Sequence, residues 1–151
     1  MVARLRLTLV LSSIVVMGCG GAPADVRAKV ALFQQRANAG QLAEIRREFG
    51  LAPSNLDNDM AARAKLGRMI RTTEASVMSG TSYAQLVIVF YNTEFEHGHA
   101  LETFSFRVDG AEPQLERYFS QPGKRMWCPM ITISAASCST EDVPATMTSS
   151  R

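Results

Sequence analysis

Long hydrophobic runs, clustered cysteines and charge of a single sign are all missing from this chain of 151 residues. The longest apolar stretch, Leu7 to Met17, is about half of what a membrane-spanning helix needs. The three cysteines, Cys19, Cys128 and Cys138, form no Cys-x-x-Cys pair and have no histidine nearby, which argues against a structural zinc site. The formal net charge is only +2 and no basic run is present, so neither a nucleic-acid partner nor electrostatic docking to a membrane is indicated. Gly-x-Ser-x-Gly, a phosphate loop and a dinucleotide-binding glycine pattern are absent, and no repeat of 20–50 residues is visible. No cofactor is therefore implied. What is present is 46% hydrophobic and 20% charged residues, enough apolar material for one globular domain.

The first 18 residues have the three parts of an export signal. Arg4 and Arg6 make a positive start, Leu7 to Met17 is apolar, and Gly18 is the small residue before a break. Cleavage there would remove two of the 16 basic residues and leave 14 against 14 acidic ones. The segment ends in Val16-Met17-Gly18-Cys19, which resembles the lipobox of bacterial lipoproteins. The resemblance implies that the Cys19 thiol takes a diacylglycerol, that a peptidase cuts before it, and that the new amine is acylated. Each buried methylene contributes about 0.8 kcal/mol, so two or three acyl chains hold a protein on a membrane without a spanning helix. Gly20 is not the aspartate associated with inner-membrane retention in that family. The implied address is the bacterial cell envelope, facing the periplasm, on the outer membrane where one exists. The competing reading is a plain secretory signal with an unmodified cysteine.

Lipidation of Cys19 leaves Cys128 and Cys138 as a pair in a disulfide-permissive compartment. A bond between them would close a small loop and contribute roughly 2–3 kcal/mol. The alternative is two independent thiols.

Residues 19–24 read as a tether, and Asp25 stands where a helix N-cap belongs. Val26, Val30, Phe33 and Ala37 share one helical face, and Gly40 is a stop. A short helix over 41–49 ends at Gly50, with Pro53 beyond the break and "SNLDND" as a turn cluster. A third helix is expected over 57–66. The period then shifts. A polar strand is expected over 68–78, and the surest strand is 83–93, apolar on both faces between Leu86 and Phe90 and so expected at the centre of a sheet. Residues 100–108 alternate, with Phe104, Phe106 and Val108 on one face. Asp109-Gly110 is a turn, and 114–119 is a last strand. Helices followed by an antiparallel meander predict an α+β domain over 25–120, with a helix across the concave face of a curved sheet. The stretch 121–151 has nine Ser or Thr among its last 20 residues and is expected to be largely disordered, especially from Ser139. It reads either as a divergent extension or as the product of a shifted frame.

"YNTEFEHGHALETFSFRVDG", with a closing tyrosine, resembles an uncharacterised family of small bacterial envelope domains. The positions that carry the likeness are Tyr91, Thr93, Phe95, Glu102, Thr103, Asp109, Gly110 and Tyr118. The resemblance implies a cystatin-like or NTF2-like fold and no particular activity.

Two clusters bear on chemistry. Glu94, Glu96, His97, His99 and Glu102 surround one hairpin and offer metal-ligand types, against the plainer reading of a polar, exposed tip. Glu102 shares a strand face with Phe104 and Phe106. A carboxylate in apolar surroundings can act as a general base, and in a conical NTF2-like pocket Tyr83 and Tyr91 would join it. The plainer reading has Glu102 solvated or paired with an arginine. Two functions are thus expected to compete: a lipid-anchored, non-catalytic domain that binds an envelope protein or a small ligand, and a small hydrolase or isomerase. A degenerate product that has lost its role is the remaining case.

Overall fold

The computed structural model describes residues 21–50, 53–80, 85–127 and 138–142. Cys19, Tyr83 and Cys128 lie outside them. Among the described residues, three helices, α1 (Ala24–Asn38), α2 (Leu42–Phe49) and α3 (Pro53–Ala64), precede six strands. The strands are β1 (Met69–Gly80), β2 (Leu86–Phe95), β3 (Gly98–Arg107), β4 (Gln114–Pro122), β5 (Lys124–Trp127) and β6 (Ser139–Asp142). β1 to β4 form one antiparallel sheet in chain order, and β5 pairs with β6 in a second, two-stranded sheet. The architecture is α+β, with β2 inside the sheet as its apolar residues require.

One face of the four-stranded sheet carries the core. Val87, Val89, Tyr91, Thr93 and Phe95 point inward from β2, and each intervening residue is half-buried. The helices cover this face with Val26, Val30, Phe33 and Ala37 of α1, Ile45 of α2, and Leu56 and Met60 of α3. Phe33, fully buried, meets Phe49, Phe104 and Tyr118 with ring centroids 5.5, 5.3 and 4.5 Å away. Tilted or edge-on aromatic pairs of this kind add about 0.5–1.5 kcal/mol beyond the area they bury.

Four expectations change at the boundaries. Pro23, not Asp25, is the N-cap of α1; the Asp25 carboxylate lies in the first turn and accepts from the Val26 N–H at 2.9 Å. The expected tether is shorter, because Ala22 is buried and α1 starts at Ala24. α2 does end at Gly50, in the left-handed region at φ 61°. Pro53, however, opens α3, so the "SNLDND" residues are helical. Proline suits the first helical position because the N–H it lacks would have no partner there. Last, β4 runs to Pro122, and 124–127 pairs with 139–142 where the composition predicted disorder. Backbone pairing needs no apolar side chain, so a Ser/Thr-rich stretch can still join a ladder.

The second sheet crosses the face opposite the helices. Asn92 is out of phase with buried Tyr91 and Thr93, and its amide donates to the Met126 carbonyl at 2.7 Å while accepting from the Met126 N–H at 2.8 Å. No described helix is long and apolar enough to cross a membrane.

Candidate functional site

The residues singled out by sequence divide among three places. The first is the interior around Glu102, on β3. Its side chain is fully buried. Oε1 accepts from Arg63 Nε at 3.0 Å and from the Tyr118 hydroxyl at 2.7 Å. Oε2 accepts from Gln34 Nε2 at 3.0 Å and from Thr93 Oγ1 at 2.7 Å. A carboxylate has about four lone-pair sites, and all four are occupied. Gln34 also donates to Thr72 Oγ1 at 3.2 Å, and the Thr72 and Thr93 hydroxyls are 3.0 Å apart. Because Thr93 gives its proton to Glu102, Thr72 is the donor of that pair. Arg63 stacks over the Phe95 ring, 4.9 Å from its centroid.

This arrangement ties α1, α3 and three strands to one anion. Of the positions that carry the resemblance noted above, Thr93, Phe95, Glu102 and Tyr118 all meet here. The general-base expectation for Glu102 loses its geometry: the side chain is shielded from solvent, its lone pairs are filled, and it is paired with Arg63. A base needs a free lone pair within reach of substrate. Burial, and then the negative charge of Glu102, hold the Tyr118 hydroxyl well above its ordinary value of 10.0, so it stays a proton donor. Sequence reading missed Arg63 and Gln34. Both sit on helices among ordinary polar residues, and only packing distinguishes them.

The second place is the hairpin. β2 and β3 join through Glu96-His97, with Phe95 opposite Gly98 and Glu94 opposite His99. Glu96 accepts from the Arg68 N–H at 3.0 Å, and the His97 N–H donates to the Leu66 carbonyl at 2.9 Å, so the tip is tied to the turn before β1. Glu94 pairs with Arg71 at 2.9 Å on the face away from the helices. Glu102 points the other way, so the five groups do not converge. Among the described residues no three His, Cys, Asp or Glu side chains are placed to hold a metal ion. A cleft of about 160 Å³ opens between this part of the sheet and β5, lined by Arg71, Asn92, Glu94, His99, Lys124 and Arg125 among others. Its charge is mainly positive, although Arg71 and Lys124 are engaged with Glu94 and Asp142.

The third place is where the chain enters the fold. Glu74 on β1 accepts from the Ala22 N–H through Oε1 at 3.1 Å and from the Tyr91 hydroxyl through Oε2 at 3.3 Å. Burial, followed by the Glu74 charge and its hydrogen bond, pushes the Tyr91 pKa up to about 12. Gly21 lies against the same carboxylate; a Cβ there would stand 2.5 Å from Glu74 Oε1. Tyr91 is thus a structural donor, and Tyr83 falls outside the described residues.

Cys138 is disulfide-bonded, and its sulfur lies 3.8 Å from Ser76 Oγ on β1. Comparison of the chain with protein-family models, curated proteins and solved structures finds no match.

Proposed function

We propose that this chain is a lipid-anchored protein of the bacterial cell envelope, attached through Cys19, whose folded part is a non-catalytic binding or interaction domain. The anchor reading rests on the positive start, short apolar stretch and Val-Met-Gly-Cys ending of residues 1–19. One observation carries the non-catalytic part: Glu102, the best general-base candidate, is fully buried with each oxygen accepting two hydrogen bonds. Its role is to join layers. A surface open to recognition is the opposite face of the sheet, where the cleft beside β5 offers Arg125 and His99 to a small anionic ligand or to a carboxylate of an envelope protein.

A curved cystatin-like or NTF2-like sheet belongs to the same reading. Its support is the interruption of register between Met69 and Arg71 and between Glu74 and Ser76 of β1, and between Ser105 and Phe106 of β3. Bulges bend a strand and increase its twist. The Cys128–Cys138 bond belongs to it as well. Its support is that Cys138, just before β6, is disulfide-bonded. That pairing leaves Cys19 as the one thiol available for lipid.

Mass spectrometry of the protein from membrane fractions tests both points. The N-terminal peptide is expected to begin at Cys19 and carry acyl mass, and a non-reduced digest to contain Cys128 joined to Cys138. Cys19→Ser is expected to move the protein into the soluble fraction. An unmodified Cys19 terminus, or a serine variant that stays equally membrane-bound, defeats the anchor.

A further inference from the structure

We infer that the folded body lies directly against the lipid surface, with the first turn of α1 and its neighbours Arg27 and Glu74 turned toward the headgroups. This rests on the lipidation of Cys19 proposed above and adds to it an interaction surface with a fixed orientation. A tether of residues 19–24 would let the body swing clear of the bilayer. The structure removes most of that freedom. Ala22 is 1% exposed, and its N–H is bound to the Glu74 carboxylate. Gly21 is packed against the same carboxylate and near the Arg27 guanidinium, so close that a side chain would meet both. α1 starts at Ala24, which leaves no slack after Ala22.

Only Cys19 and Gly20 therefore stand in sequence between the acylated sulfur and the packed Gly21. An extended chain advances at most about 3.6 Å per residue, so the Cys19 and Gly21 Cα atoms are within about 7 Å. The headgroup layer on each side of a bilayer is about 5–8 Å thick. The reach and the layer are alike in size, so a lipid seated normally draws the first turn of α1 onto the headgroups. The exposed groups there, Asp25 and Arg27, carry both signs and suit a zwitterionic surface. The cleft beside β5 lies on the opposite face of the sheet and stays open to a ligand.

Fluorescence quenching tests this on the full chain, exported, purified from membranes and reconstituted into phosphatidylcholine vesicles with a nitroxide-bearing headgroup. Trp127, the single tryptophan, is 58% exposed and reports from β5. A second protein carries Ala28→Trp, at an exposed position of α1, together with Trp127→Phe. Quenching at position 28 is expected to exceed that at Trp127 by about threefold, given the short reach. Inserting a flexible Gly/Ser linker of about ten residues between Gly20 and Gly21 is expected to bring the two values together, since such a chain spans about 15–20 Å. Protein that floats with the vesicles but is quenched equally at both positions overturns the inference and leaves the anchor standing. A difference that survives the linker also overturns it. Protein that does not float with the vesicles removes the anchor and the inference together.

Discussion

Glu102 occupies the position where sequence and structure diverge most in meaning. Strand alternation set it on the face of Phe104 and Phe106, which left open either a reactive carboxyl or a plain pairing with an arginine, and the structure pairs it with Arg63. The four donors come from Gln34, Arg63, Thr93 and Tyr118, which are 68, 39, 9 and 16 residues away along the chain. No local pattern links such distant positions. Removing one partner of a buried ion pair leaves the other charge without compensation, and this typically costs about 3–5 kcal/mol. Glu102→Ala is expected to destabilise the fold by that amount in urea denaturation, because Arg63 has 3% of its side chain exposed and no described second carboxylate. A loss below about 1 kcal/mol, the range of an exposed pair, would contradict the structural role.

At the scale of elements, periodicity and residue propensity located the three described helices and the four strands of the main sheet. Their failures lie at ends and in short segments. Pro53 was read as a break although it opens α3, because proline is common both just after a helix end and at the first position of the next helix. The β5–β6 hairpin went unseen because the two strands are four residues each and mostly exposed. Asn92 is what fastens that hairpin to the sheet, through two hydrogen bonds to the Met126 backbone. Asn92→Ala is expected to speed amide hydrogen exchange across 124–127 and 139–142, while global stability falls by only about 1–2 kcal/mol. Unchanged exchange in those strands would show that other contacts hold the hairpin in place.

For the molecule as a whole, the buried phenols set an alkaline limit. An unfolded tyrosine ionises near 10.0, whereas Tyr91 in the fold does so near 12 and Tyr118 is also raised. Between those values the folded chain keeps protons that the unfolded chain has released. This contribution to stability is therefore complete below pH 10 and is lost as pH rises toward 12. Denaturation midpoints are expected to fall through that window, and Tyr91→Phe is expected to make the fall shallower; a level profile would refute the assignment. The sequence by itself determined the α+β class, the order of the elements and the apolar faces, because these follow from local periodicity and from the need to bury apolar area. It also carries the whole case for the anchor at Cys19. Only the tertiary structure decided that Glu102 is a saturated joint and that Ala22 is locked to Glu74. Both depend on hydrogen bonds between residues far apart in the chain, and such bonds exist only once the helices are laid on the sheet.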